Sequence, residues 1–114
     1  MTNAQVQVHE SADNIFADLG LPDAEGHFLK AQIVAELYRL TSARKLTQTK
    51  TGALMGISQP EVSRLFKGNF REYSVERLMA FLTAFDRDVE IISRPTARNR
   101  KASQGHIIFK TAAA

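Results

Sequence analysis

The chain contains no cysteine. That excludes a disulfide framework and any Cys-based zinc or redox site, and it suits a reducing compartment, so a cytoplasmic protein is expected. No apolar run approaches the ~18 residues needed to cross a bilayer, so nothing is expected to span a membrane. The start lacks a basic region followed by an apolar core, and no secretory signal is expected. There is no Gly-rich phosphate loop, and His9, His27 and His106 are too far apart for metal-ligand spacing. The carboxylates are scattered. With no catalytic constellation, the expectation is a protein that is not an enzyme and carries no metal or cofactor. His27 is expected at the surface, on the first turn of a long helix.

What the sequence does have is enough apolar material for one core: 44% of its 114 residues are hydrophobic and 24% are charged. Its net charge of +3 hides an asymmetry. From Met1 to Gly26 stand five acids (Glu10, Asp13, Asp18, Asp23, Glu25) and no Lys or Arg. From Arg39 to Arg71 stand seven bases (Arg39, Arg44, Lys45, Lys50, Arg64, Lys67, Arg71) against one acid, Glu61. A clustered excess of bases is the electrostatic footprint of nucleic-acid binding.

The stretch from Thr47 to Gly68 organises the rest. It reads as two short helices joined by a tight turn. Gln48 opens the first, whose tightest packing position falls on Gly52, where a bulky side chain would push the helices apart. Gly56 sits at the sharp turn, where glycine alone takes φ > 0 without steric cost. Ser58 caps the second helix, Glu61 completes a capping box, and Pro60 is tolerated in a first turn whose N–H groups are unpaired anyway. Val62, Leu65 and Phe66 recur at the spacing of a buried face. Gln59, Ser63, Arg64 and Lys67 are left to meet a partner. This is the helix-turn-helix layout, whose second helix enters the DNA major groove.

Around this unit, residues 1–12 read as a flexible arm. Ser11 to Pro22 holds a short helical stretch with Ile15, Phe16 and Leu19 inward. Asp23 starts a long helix to about Lys45, with Leu29, Ile33, Leu37 and Leu40 in one stripe widened by Phe28, Val34 and Tyr38. Acids at its start and Arg44 and Lys45 at its end agree with the helix dipole. After Gly68, Phe70 and Tyr73 pack back on the core. Ser74 caps a further helix with Val75, Leu78, Met79, Leu82 and Phe85 buried. Residues 88–94 alternate with period two and read as a strand ended by Pro95, and His106 to Lys110 reads as a second. A basic, aperiodic loop lies between, open to DNA, to a partner, or to solvent alone. Two strands make no stable sheet by themselves. They pair either as a hairpin on the helices or with the same strands of a second copy.

The run Leu46-Thr47-Gln48, then Gly56-Ile57-Ser58-Gln59, then Val62-Ser63-Arg64-Leu65 and Gly68 resembles the Xre/Cro, phage-repressor-like helix-turn-helix family. Asn14 to Gly20, Ala24-Glu25, Lys30-Ala31, Ser58-Gln59-Pro60, Phe70, Ser74 to Leu78 and Asp88 to Ile91 look like the small subgroup that includes HigA-like antitoxins. The resemblance spans about Ser11 to Arg94. It implies a mainly α, lambda-repressor-type domain of five helices over 13–87, to which the alternation read above adds 88–114 as a strand–loop–strand extension able to serve dimerisation. It also implies a homodimer repressing transcription from palindromic operator DNA. The subgroup adds autoregulation and a cognate toxin of the RelE/HigB mRNA-cleaving kind.

Carried over by position, the resemblance makes Gln48 a phosphate contact that fixes register, and Gln59 and Arg64 readers of base edges. Their chemistry agrees, since Gln pairs bidentately with adenine and Arg with guanine. Ser58 and Ser63 are short donors for phosphate or a nearby base. Lys67, Asn69 and Arg71 are placed along the backbone. Pro60 departs from relatives with a polar reader at that position and leaves a larger share of specificity to DNA shape. Two rivals stand beside the antitoxin: a stand-alone regulator without a toxin, and an interaction module that has lost DNA binding. For a toxin, the acidic N-terminal region offers charge complementarity to a basic ribonuclease.

Overall fold

A computed structural model describes residues 23–96 and 105–112. The arm at 1–12, the short helix expected within 13–20 and most of the basic loop fall outside these residues. Among the described residues stand four α-helices and no strand: α1 (Asp23–Ala43), α2 (Gln48–Met55), α3 (Gln59–Phe66) and α4 (Val75–Ala84). The architecture is mainly α, and neither a fifth helix nor a C-terminal strand pair appears in the described part. None of these helices is long and apolar enough to cross a membrane.

Helix α1 is the spine, and α3 and α4 pack against it. Its stripe of Leu29, Ile33, Leu37 and Leu40 is buried, as is Val34. Phe28 and Tyr38 do not widen it: they stand 62% and 57% exposed. Tyr38 lays its ring edge-on to Phe66 at 5.3 Å, outside the seam. Facing residues complete the core. Leu37, Val62, Leu65, Leu78 and Phe85 are sealed from solvent, each contributing about 1.5–3 kcal/mol. Phe81, which the period of α4 did not single out, is also buried, while Met79 is half-buried.

The end of α1 differs from expectation in an instructive way. The helix stops at Ala43, because Lys45 takes a left-handed φ of 55°. Arg44 therefore does not serve its own helix end. Its guanidinium donates to the Phe85 carbonyl at the end of α4 and lies 5.2 Å over the Phe85 ring, with Asp86 at 3.5 Å. One cation thereby fastens the last turn of α4 to the loop after α1. Glu36, buried on α1, accepts a two-pronged bond from Arg39 at 2.8 and 2.7 Å. That bond holds its carboxyl below the ordinary carboxylate range, against the opposing pull of burial.

Residues 87–96 and 105–112 show why period-two alternation was an incomplete signal. Val89 and Phe109 pack against the core, as a half-buried strand would have them. The two stretches also run antiparallel: Arg87 donates to the Ala112 carbonyl at 2.8 Å, and a Cβ on Gly105 would touch the Thr96 hydroxyl at 3.3 Å. Among the described residues, however, no backbone hydrogen bond joins them. A strand is defined by its partner, and alternation specifies only a face.

The joint between α2 and α3 is tight. Gly52 accepts the N–H groups of both Gly56 and Ile57, at 2.7 and 2.9 Å. Gly56 takes a φ of 80°, closing α2 with the left-handed turn glycine favours. A Cβ at Gly52 would run into the Ile57 carbonyl oxygen and press on Val62 Cγ2 at 3.3 Å. Gly52→Val is expected to lower stability by about 3 kcal/mol, read as a reduced urea midpoint at unchanged slope. An unchanged midpoint would show that α2 and α3 can separate freely.

Candidate nucleic-acid interface

The face opposite the core is built by the starts of α2 and α3 and the loop after α3. Each start is fixed by a side-chain cap. Thr47 Oγ1 accepts from the Lys50 amide at 3.1 Å and caps α2, which Gln48 opens as expected. Ser58 Oγ accepts from the Glu61 amide at 3.3 Å, and the Ser58 amide donates back to Glu61 Oε1 at 2.8 Å. This is the full capping box, with Pro60 inside the first turn. The Ser58 amide, reinforced by its hydroxyl, holds the Glu61 carboxyl below the ordinary carboxylate range. The two helix starts thus differ in charge. That of α3 carries a seated carboxylate, while that of α2 has no acid in its first turn.

With α3 so placed, Val62 and Leu65 point inward while Gln59, Arg64 and Lys67 are exposed and Ser63 is half-buried. Gln48 is exposed on α2, and its Oε1 accepts from Gln59 Nε2 at 2.6 Å. This bond spans the motif and has a polarity. Gln59 keeps one N–H and its carbonyl oxygen, a donor–acceptor pair on one amide edge, and Gln48 keeps its own NH₂. An anion can accept from Gln48 while the Gln59 amide remains whole for a base edge.

After α3 the chain turns at Gly68, with a φ of 106°, and the Asn69 amide bonds back to the Arg64 carbonyl at 3.0 Å. Asn69 and Arg71 are exposed there, and Lys30 of α1 steadies the loop by donating to the Arg71 carbonyl at 2.9 Å. Arg64, Asn69 and Arg71 border one open cleft together with Arg77 of α4. Gln48, Gln59, Ser58, Ser63 and Lys67 do not border it. They belong to the helix starts and the outer side of α3.

Arg77 was missed in the sequence. Its guanidinium lies 5.0 Å over the Tyr73 ring and 5.6 Å over Phe81, which keeps a cation beside Arg71. The aromatic residues at Tyr73 and Phe81, spaced to meet Arg77 on α4, were the available signal. His27 also departs from expectation: its ring stacks on Phe70 at 4.8 Å, and its buried Nδ1 has no partner. Among the described residues no cluster of His, Asp and Glu could hold a metal ion.

Comparison with known proteins adds the following. The helix-turn-helix domain family matches residues 15–93. A solved XRE family transcriptional regulator is similar at 37% identity with a TM-score of 0.70, over 78% of this chain and the whole of its own. No curated protein matches.

The amide pair gives a direct test. Gln48→Ala is expected to shift and broaden the Gln59 side-chain NH₂ signals in ¹⁵N–¹H spectra, with stability changed by no more than about 0.5 kcal/mol. Unmoved signals would mean that Gln48 does not orient Gln59.

Proposed function

This chain belongs to the helix-turn-helix domain family, and from that membership we propose that it is a sequence-specific repressor that binds palindromic operator DNA as a homodimer. The family match and the XRE regulator together make it a DNA-binding transcriptional regulator. The finer reading is carried by the 2.6 Å bond from Gln59 to Gln48, which joins a candidate base reader to a candidate phosphate contact.

In this reading α3 lies in the major groove. The Gln59 amide edge fits adenine N6 and N7, and the Arg64 fork fits guanine O6 and N7. Gln48 donates to a phosphate at the start of α2, where no acid opposes it. Ser58 serves mainly to seat Glu61, with its hydroxyl beside the base edges, and Ser63 is a half-buried short donor beside them. Lys67, Asn69 and Arg71 follow the sugar–phosphate backbone and supply affinity without sequence information. Arg77 joins them, since it faces the same cleft.

The experiment is fluorescence anisotropy on the chain's own upstream DNA at two salt concentrations, for wild type and for Gln59→Ala with Arg64→Ala. The double variant is expected to lose about 30-fold or more in affinity for that DNA, while keeping the weak, salt-dependent binding to random DNA. Equal affinity of wild type for upstream and random DNA would overturn the operator reading.

We further propose that this regulator is an antitoxin that neutralises an mRNA-cleaving toxin of the RelE/HigB kind and represses its own operon. Support comes from the sequence resemblance and from the run of acids between Glu10 and Glu25, which complements a basic ribonuclease. The product of an adjacent short reading frame is expected to co-purify with the tagged chain and to lose its RNA cleavage in the complex. An adjacent product that cleaves RNA equally well with and without this chain would leave a stand-alone regulator.

A further inference from the structure

The C-terminal stretches carry a surface that the DNA-binding face does not use. Ile91 and Ile92 stand 84% and 69% exposed, and Ile107 and Ile108 stand 40% and 60% exposed. Single exposed apolar residues are ordinary, but two consecutive isoleucines on each of two adjoining stretches leave apolar side chains exposed on both faces. Its backbone is equally unpartnered. Among the described residues no backbone hydrogen bond engages 88–96, although Val89 anchors the stretch on the core. A fixed, apolar stretch with free N–H and C=O groups is a template for another strand.

The charges around the isoleucines say which strand. Asp88 and Glu90 precede Ile91-Ile92, and Arg94 follows. This pattern repels a parallel copy of itself and attracts an antiparallel one, which is what a two-fold axis supplies. Side chains directly opposite in an antiparallel pair share a face. Centring the axis on Ile92 sets Ile92 against its own mate and Glu90 against Arg94 of the second copy, twice by symmetry. Pro95, without an N–H, then stands where the ladder stops.

We infer that residues 88–94 form an antiparallel strand pair with the same residues of a second copy, centred on Ile92 and aligned by Glu90–Arg94 contacts. The stretch 105–112 lies beside 87–96, held by the Arg87–Ala112 bond at one end and passing close to Thr96 at Gly105. His106 further ties it to Glu25 at the start of α1, at 3.1 Å. The assembly is a two-stranded antiparallel ribbon shared between copies, with 105–112 lying beside each strand. This deepens the homodimer reading above and rests on it.

Sedimentation of the full chain tests both readings separately. Wild type is expected to be a dimer. Glu90→Arg alone and Arg94→Glu alone each place like charges in opposition and are expected to weaken dimerisation about tenfold or more. The variant carrying both changes regains the wild-type constant, as does an equimolar mixture of the two single variants. These positions are exposed, and circular dichroism checks that each variant folds. With no native cysteine, Ile92→Cys is expected to crosslink to its own mate under oxidation. A wild-type dimer that both single variants form equally well would overturn this surface and leave the dimer standing on another. A wild type that stays monomeric at all concentrations, alone and on DNA, would overturn the dimer itself.

Discussion

Everything on the face opposite the core depends on how closely α2 can approach the turn that follows it. At Gly52 the chain presents a hydrogen atom to the Ile57 carbonyl and to Val62, where a larger group would collide. The same residue's carbonyl gathers the Gly56 and Ile57 amides, so closeness and turn geometry are set by one residue. From that contact the start of α3 is fixed, Ser58 is in place to cap it, and Val62 and Leu65 reach the core beside Leu37 and Leu78. The 2.6 Å amide bond between Gln48 and Gln59 exists only because the two helix starts have been brought together in this way.

Much of this unit was legible in the sequence because it is built from local rules. Ser58 with Glu61 three residues on, Gly56 at the turn and Ser74 before α4 act through their nearest neighbours, and each does so in the structure. The stripe from Leu29 to Leu40 was equally readable, since one strongly periodic face leaves one way to pack. Contacts that cross the chain were hidden. Nothing near Arg44 announces that it will stack on Phe85, forty-one residues away, and the helix-dipole rule gave it the wrong duty. Phe28 and Tyr38 were assigned inward from position on the helix alone, but both stand mostly exposed. His27 was placed at the surface because its partner, Phe70, comes from the far end of the motif.

For the site the division is similar. The face carrying Gln59, Arg64 and Lys67 follows from helical spacing. The hydrogen bond from Gln59 to Gln48 does not, and neither does the grouping of Arg64, Asn69 and Arg71 with Arg77 around one cleft. That grouping needs the turn at Gly68 and the aromatic rings that hold Arg77 upright. The extension after α4 shows the converse limit. Its alternation was correctly seen, but strand formation is a property of two chains or two segments, and the second partner is not written in the first.

The capping box has a consequence for how such a regulator finds its target. At the start of α3 the Glu61 amide is already taken by the Ser58 hydroxyl and the Ser58 amide by the Glu61 carboxylate, which is held charged. If α3 reads DNA as proposed, a passing phosphate gains little at its tip, and the hold on the backbone falls to flanking side chains. In the proposed reading, the energy surface under α3 is then shallow on arbitrary DNA, which favours movement along the groove with short dwell times. Only a matching set of base edges deepens the well. A motif that looks like simple helix stabilisation thus separates travelling from stopping.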